Sequence, residues 1–183
     1  MKWICILPIG DMDQSLLEEL SETIAHTFSR KVRILEGREK PHFAYDSKRQ
    51  QYMSVPVLGR VLQCADAETE KILGVTDVDI CVPVLRFVFG QAQLSGRAAL
   101  LSIARLQQQF YGLPEDRRLL VTRAKKEAAH ELGHTYGLVH CRTPRCVMHY
   151  SNSIREVDAR PLEFCSDCLV LLRQRTSPGE DRE

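Results

Sequence analysis

The sequence has no long apolar run and almost no net charge. No hydrophobic stretch approaches the roughly 20 residues of a membrane-spanning helix, so a membrane partner is not expected. The 25 basic and 24 acidic residues leave a formal charge of +1. Because such a balanced surface has no strong field to attract a polyanion, nucleic acid is not expected as a partner either.

Targeting and nucleotide-binding signals are also lacking. The opening residues, MKWICILPIG, have too short an apolar part for a secretory signal and no small-residue cleavage site. We therefore expect a cytoplasmic protein, in which the seven cysteines would be metal ligands or buried thiols rather than disulfides. No internal repeat, phosphate-binding loop or catalytic triad is visible.

The sequence does contain enough apolar material for one core. The hydrophobic fraction is 44% over 183 residues, which predicts a single domain. We expect this domain to cover residues 1–175, with an upper lobe of about 1–137, a lower lobe of about 138–175, and a disordered tail at 176–183. The predicted fold class is α/β (α+β). It consists of a twisted mixed sheet with helices, then a small, mostly irregular lobe that ends in a helix.

Hydrophobic periodicity divides the chain into strands and helices. Strands are predicted at residues 3–9, 31–35, 79–84, 87–92 and 98–103, and helices at 13–28, 55–71, 117–136 and 162–175, with a loop-rich stretch at 138–160. For the helix at 55–71, a break near Cys64 is the alternative. Gly90 suggests a bulge or an edge strand that another backbone approaches, with the strand after Gly96 as its hairpin partner.

The segment HELGHTYGLVHCRTPRCVMHY, residues 130–150, carries the clearest chemical signal. His130 and His134 are four residues apart, which on a helix places both imidazoles on one face, within reach of a single ion. Glu131 is offset by roughly 100° and can reach a water bound to that ion. This HExxH arrangement supplies two metal ligands and a general base.

A catalytic zinc needs a third protein ligand and an open position. Gly137 permits positive φ, so the helix can end three residues after His134 and the chain can turn back. His140 would then face the same ion. The full pattern HExxHxxGxxH resembles the metzincin clan of zinc metallopeptidases, in which a methionine-containing turn lies beneath the metal. Met148 is the nearby candidate for that turn, and an ordinary core methionine is the alternative.

Four cysteines form a second cluster of two pairs, Cys141 with Cys146 and Cys165 with Cys168. The spacing Cx4C…CxxC fits a closed, tetrahedral structural zinc. A redox CxxC is the alternative, although it is expected beside a thioredoxin-like βαβ unit. Because His140 and Cys141 are adjacent, their side chains can point to opposite sides of an extended backbone and serve one ion each.

Taken together, the motifs resemble those of the archaemetzincins, in HELGHTYGLVHCRTPRCVM at 130–148 and FCSDC at 164–168. The resemblance implies a compact metzincin fold with one catalytic and one structural zinc per chain. The first hundred residues carry no comparable signature, though FVFGQAQLSG, residues 87–96, stands where such enzymes place an edge strand. Similarity to the astacins suggests that Tyr150 binds zinc or stabilises the oxyanion, and a packed or surface tyrosine is the alternative.

The function expected is that of a monomeric zinc metallopeptidase acting on a peptide or protein substrate. Glu131 would be the general base, and the edge strand near residues 89–92 would hold an extended peptide by main-chain pairing. The alternative is a zinc-stabilised binding or scaffold protein with little or no turnover, and another metal hydrolase is a third reading. Glu131 favours the enzyme, because a scaffold has no need of a base beside an open metal position.

Overall fold

The structure is a computed structural model that describes residues 2–176, and its framework is a mixed five-stranded sheet. The strands are β1 Trp3–Ile9, β2 Val32–Ile34, β3 Tyr45–Asp46, β4 Gln51–Met53, β5 Thr69–Thr76, β6 Ile80–Cys81, β7 Gly90–Ala92 and β8 Ala98–Ser102. The helices are α1 Gln14–Phe28, α2 Ser54–Gln63, α3 Arg117–Thr135, α4 Ile154–Ala159 and α5 Ser166–Thr176, with 3-10 turns at His42–Ala44, Ala104–Leu106 and Gln108–Tyr111. The predicted α/β class with a mixed sheet is confirmed.

The strand order places one antiparallel strand at an edge. The large sheet runs β2-β1-β5-β8-β7, with β2, β1, β5 and β8 mutually parallel and β7 antiparallel to β8. The expected hairpin between the strands on either side of Gly96 is therefore present. A smaller sheet, β3-β4-β6, lies beside it.

Helices cover both faces of the large sheet, because its strands are apolar on both sides. In β1, Ile4 and Ile6 pack into one core with α1 and α3, while Cys5 and Leu7 pack into a second core with α2. The first core continues beneath α3 into residues 146–148 and α5. The helix that carries the histidines is thus clamped between the sheet and the C-terminal part of the chain.

Strand β5 was not predicted. Of the helix predicted at 55–71, only the part before the alternative break near Cys64 is helical, because α2 closes at Gln63. The helix ends there, and Asp66 and Thr69 close a turn through their side chains, with Thr69 Oγ1 donating to Asp66 Oδ1 over 2.6 Å. The apolar run of β5 lacks alternation because both its faces are buried. A Cβ at Gly74 would lie 2.6 Å from Val61 Cγ2, so glycine allows α2 to pack directly on this strand.

Smaller differences concern strand lengths and the C-terminal part. The strands predicted at 79–84 and 87–92 are only Ile80–Cys81 and Gly90–Ala92, and the last helix begins at Ser166. The stretch expected to be loop-rich contains α4, which starts with a capping box between Ser153 and Glu156. Of the tail expected to be disordered, Thr176 is the last helical residue, and 177–183 lie outside the described residues. Within residues 2–176 no helix has the length and apolarity needed to cross a membrane.

Candidate active site and metal centres

Helix α3 ends where the histidine pattern requires a turn. Gly137 has φ +84°, its N–H donates to the His134 carbonyl over 2.8 Å, and the Leu138 N–H donates to the Gly133 carbonyl over 3.1 Å. This pair of hydrogen bonds is a Schellman motif, which satisfies the last carbonyls of the helix and reverses the chain. The reversal brings His140 back beside the helix.

The three histidines converge on one point. The ligating nitrogens of His130, His134 and His140 all lie within 4.8 Å of one another, and the Nε2 atoms of the first two are 3.1 Å apart. His130 Nδ1 lies 2.8 Å from the Val147 carbonyl, and His134 Nδ1 lies 2.7 Å from the Leu138 carbonyl. Because each carbonyl accepts a hydrogen bond from a protonated Nδ1, each Nε2 is left with its lone pair free. This donor set fits a metal ion.

The surroundings of these imidazoles favour their neutral form. Burial lowers the pKa of His130 well below the ordinary value, and the nearby Arg160 charge lowers it further. Burial also lowers the pKa of His134 and of His140. A neutral imidazole is the form that binds a cation, so the site is suited to a metal without prior loss of protons.

Met148 lies directly beneath the histidine helix. Its side chain is fully buried, and a Cβ built on Gly133 would lie 2.5 Å from Met148 Sδ. Gly133 stands between His130 and His134 in the helix, so the absence of a side chain there allows the methionine turn to approach. The Cys141 N–H donates to the Met148 carbonyl over 2.9 Å, which ties this turn to the segment carrying His140.

Glu131 is held against the edge strand. Its side chain is buried, and a Cβ added to Gly90 would lie 2.5–2.7 Å from its Cγ, Cδ and Oε1 atoms. Glycine at the start of β7 is therefore needed for close approach to this carboxylate, rather than for a bulge. Burial raises the pKa of Glu131 well above the ordinary value, and the neighbouring Glu127 charge adds to the rise.

Sequence reasoning missed a buried ion pair behind His130. Arg160 Nη2 donates to Glu127 Oε1 over 2.5 Å, and Arg160 Nη1 donates to the His149 carbonyl over 2.9 Å while lying 3.1 Å from His130 Nδ1. Both side chains of the pair are at least 96% buried. Arg160 thus links α3, the methionine turn and the end of α4. Glu127 lies one turn before His130 on the buried side of α3, and a carboxylate there could have signalled a buried cationic partner.

The four cysteines form a second, separate group. The Sγ atoms of Cys141, Cys146, Cys165 and Cys168 lie within 4.8 Å of one another. Main-chain N–H groups donate to two of the sulfurs at 3.4 Å, from Thr143 to Cys141 and from Cys165 to Cys146. A closed set of four thiols with amide donors fits a tetrahedral structural metal.

The pKa values of Cys141, Cys146 and Cys168 are not alike, because their surroundings differ. Burial tends to raise the pKa of Cys141, but hydrogen bonds from Thr143 and neighbouring thiols lower it to about 7. Burial and the surrounding sulfurs raise the pKa of Cys168, and burial raises that of Cys146. The group thus holds protons that a metal ion would displace on binding.

An open cleft leads to the histidine group. A cavity of about 600 Å³ is lined by Glu131, the three histidines and residues 85–92. Tyr150 lines the cavity, is 46% exposed, and its ring centroid lies 4.9 Å from that of His140. The structure therefore brings Tyr150 beside the histidines, with its side chain partly open to solvent.

Comparison with known proteins shows similarity over nearly the whole chain. The model of the family described as "Peptidase family M54" matches residues 12–174. Among curated proteins, an archaemetzincin of Methanocaldococcus jannaschii is 43% identical, with 94% of this chain and 93% of that protein aligned. An archaemetzincin of Pyrococcus furiosus is 40% identical, with 96% of this chain and 95% of that protein aligned.

Solved structures also match nearly the whole length of this chain. Archaemetzincin from Methanopyrus kandleri superposes with a TM-score of 0.84 at 34% identity, covering 97% of this chain and 96% of that one. A zinc-dependent peptidase from Methanocorpusculum labreanum superposes with a TM-score of 0.81 at 31% identity, covering 92% of this chain and 99% of that one.

Proposed function

The chain belongs to peptidase family M54, the archaemetzincins, and from that premise we propose that it hydrolyses peptide bonds with Glu131 as general base beside a three-histidine zinc. Membership makes it a zinc metallopeptidase that acts on peptide or protein substrates. The proposal adds the roles of individual residues. The observation that carries it is the packing of buried Glu131 between edge strand β7 and the helix turn that bears His130 and His134.

Two ions per chain are part of the proposal. His130, His134 and His140 would hold the catalytic zinc through three nitrogens, and the four cysteines would hold the structural zinc. When bound, the catalytic zinc would polarise the scissile carbonyl and lower the pKa of water toward 7. Three protein ligands leave the fourth position of a tetrahedral zinc open for water or substrate, whereas four thiolates fill all four positions. This difference supports the division into a catalytic and a structural site.

Glu131 would move the proton. The carboxylate takes a proton from the attacking water, and the resulting carboxylic acid gives it to the amine nitrogen as the peptide bond breaks. Its raised pKa suits the second half of this cycle, because a carboxyl group of higher pKa retains the proton until the amine nitrogen accepts it. The wall formed by Gly90 leaves the side chain little freedom, so it stays aimed at one place.

The free side of β7 is suited to an extended peptide. Hydrogen bonds to β8 use the Phe89 carbonyl and the Gln93 amide, so by antiparallel alternation the main-chain groups of Gly90 and Ala92 point away from β8. No described residue pairs with this outer edge in a sheet. Because Gly90 and Ala92 also line the cleft, a substrate strand could pair there beside Glu131.

The proposal also includes the methionine turn, the extent of the catalytic domain and the cellular setting. Met148 would be the turn beneath the catalytic site, and residues 1–175 would form a single catalytic domain, in keeping with the family match over 12–174. A monomer in the cytoplasm, without nucleic-acid or membrane partners, completes the proposal.

Replacing Glu131 by Gln tests the central role. We expect kcat on a degenerate peptide library to fall by about 10²–10⁴-fold, because the amide cannot accept the proton. Elemental analysis should find two zinc ions per chain in both proteins, since Glu131 is not a ligand. If the native protein and the variant cleave alike, Glu131 is not the base. If neither cleaves any peptide, the alternative of a zinc-stabilised binding protein is favoured.

Replacing Tyr150 by Phe tests the tyrosine. If its hydroxyl donates to the oxyanion, kcat should fall by about 10²–10³-fold with KM little changed, because the interaction exists only in the transition state. Steady-state kinetics on one cleaved peptide would measure both constants. Unchanged turnover would remove Tyr150 from the mechanism.

A further inference from the structure

An irregular segment, residues 82–88, lies between β6 and β7 and forms one wall of the cleft. Leu85, Arg86, Phe87 and Val88 line the cavity, while Val84 is 88% exposed. Regular main-chain hydrogen bonds within this segment are few among the described residues. The Leu85 amide donates to the Val82 carbonyl over 3.3 Å, and the Val88 amide donates to the Ile80 carbonyl over 3.0 Å. Such an apolar, exposed segment needs further interactions to hold its main chain in a single conformation.

A single arginine from a distant part of the chain supplies these interactions. Arg49 Nη1 donates to the Val82 carbonyl over 3.1 Å and approaches the Pro83 carbonyl at 3.5 Å. Its Nη2 donates to the carbonyls of Leu85 over 2.5 Å and Arg86 over 3.2 Å. One planar guanidinium therefore gathers four carbonyl oxygens of the wall. The compact ammonium of a lysine could not reproduce this fork.

Arg49 is itself fixed by its neighbours. It lies in the turn between β3 and β4, where Asp46 Oδ1 accepts hydrogen bonds from the Lys48 and Arg49 amides over 2.9 and 3.2 Å. Its Nε donates to Gln51 Oε1 over 3.2 Å, and Gln51 Nε2 donates in turn to the Arg86 carbonyl over 2.9 Å. The clamp thus rests on a small sheet that takes no part in the metal sites.

A second set of contacts, through Asp79 and Arg105, stabilises the same wall at Phe87. Gln51 Nε2 also donates to Asp79 Oδ2 over 2.9 Å, and Asp79 accepts two hydrogen bonds from Arg105 at 2.7 and 2.8 Å. The Arg105 guanidinium lies 4.2 Å from the centre of the Phe87 ring. A continuous polar network therefore runs from Arg49 to the aromatic end of the wall.

We propose that Arg49 is a positioning residue for substrate: it holds the apolar wall at 82–88 in the cleft that Glu131 also lines, so that the cleft selects an apolar side chain against Leu85 and Phe87. The inference rests on the proposed peptidase function and deepens it. The wall lines the same cavity as the Glu131 carboxylate and leads, through Phe89, into edge strand β7, where a peptide would pair. Because binding to a mobile wall must also order it, loss of the clamp weakens substrate binding and leaves the chemical step in place.

The test compares Arg49→Lys and Arg49→Ala with native protein, with Arg38→Lys as control. Arg38 is an exposed arginine whose ion-pair partner is Glu36, at 3.8 Å, on a part of the surface that does not line the cleft. For both Arg49 variants we expect KM to rise about tenfold or more with kcat nearly unchanged, as charged hydrogen bonds of this strength imply. Cleavage of a degenerate decapeptide library should lose its preference for apolar residues.

A second measurement does not depend on activity. Hydrogen exchange of the amides in 82–88 should speed up in both Arg49 variants, while exchange in α3 and the zinc content stay as in native protein. Unchanged exchange in this segment, or faster exchange with the same KM and the same cleavage preference, would overturn the proposal. If native protein neither binds nor cleaves the library, the proposed function fails and this inference falls with it. Native cleavage with unaffected Arg49 variants refutes the inference alone.

Discussion

At the scale of single residues, the site depends on glycines that admit a neighbour. Gly90 admits Glu131, and Gly133 admits Met148. Neither contact can be read from spacing, because each joins residues on different elements. The HExxHxxGxxH pattern predicted which histidines would meet, since helix geometry fixes positions 130 and 134 and a left-handed Gly137 returns the chain. It could not predict the Glu127–Arg160 pair, whose members are 33 residues apart.

Replacing Gly90 by Ala should disturb catalysis more than stability. The new Cβ would lie 2.5 Å from Glu131 Cγ, so the carboxylate must move away from its place in the cleft. We expect kcat to fall at least about tenfold, because a displacement of about 1 Å in a catalytic group is costly. Kinetics and thermal unfolding of the variant would measure the two effects.

The matched control is Gly59→Ala. A Cβ at Gly59 in helix α2 would meet nothing within 4 Å, and alanine in a helix should stabilise the protein by up to about 1 kcal/mol. Its kcat should equal the native value. Equal activity of both variants and the native protein would show that the Gly90 contact does not fix Glu131.

At the scale of elements, helix α3 carries two imidazoles whose neutral form is favoured in the folded protein and is lost in acid. The pKa values of His130, His134 and His140 lie below the ordinary 6.5, chiefly through burial. The folded state therefore binds fewer protons than the unfolded chain. Their contribution to the free energy of unfolding is therefore complete above about pH 6.5 and is lost as the pH falls below it.

Thermal unfolding of chelator-treated protein between about pH 8 and pH 5 would measure this decline. A His140→Asn variant should show a shallower loss, because one of the three groups no longer titrates. Stability that stays level from pH 7 to pH 5 would contradict the expectation. With metal present, the same protonation should release the ion from the histidine site.

Element boundaries illustrate why part of the fold was beyond prediction. Strand β1 was predicted with the bounds it has, and α1 began at its Asp13 cap, because a buried run and a capping residue are local signals. Strand β5 is hard to predict because TEKILGVT does not alternate between apolar and polar residues, and Lys71 interrupts its apolar run. Lys71 Nζ in fact donates to the carbonyls of Gly96 and Thr135 over 2.7 and 2.8 Å, which only the assembled fold can show.

At the scale of the whole molecule, the two metal groups are mechanically joined. His140 and Cys141 are consecutive, and hydrogen bonds from Cys141 to Met148 and from His149 to the Cys141 carbonyl fasten both to one turn. The structure thereby couples the thiol cluster to the position of the third imidazole. Damage to one site should reach the other.

Replacing Cys168 by Ser tests this coupling. The structural zinc should be lost or weakened, and the histidine site should bind zinc about tenfold more weakly or worse, because His140 is no longer held. Elemental analysis and competition with a chelator would measure both sites. Cys64→Ser is the control, since Cys64 belongs to neither group. Native affinity at the histidines in the Cys168 variant would show that the sites are independent.

The position of the ligands along the chain has a consequence for how the protein is made. All seven lie between residues 130 and 168, whereas the large sheet is complete by Ser102. During translation the ribosome therefore releases the scaffold well before any ligand emerges. Binding of the proposed ions would therefore be the closing stage of biogenesis, and a nascent chain would have no complete metal site until its final third has left the exit tunnel.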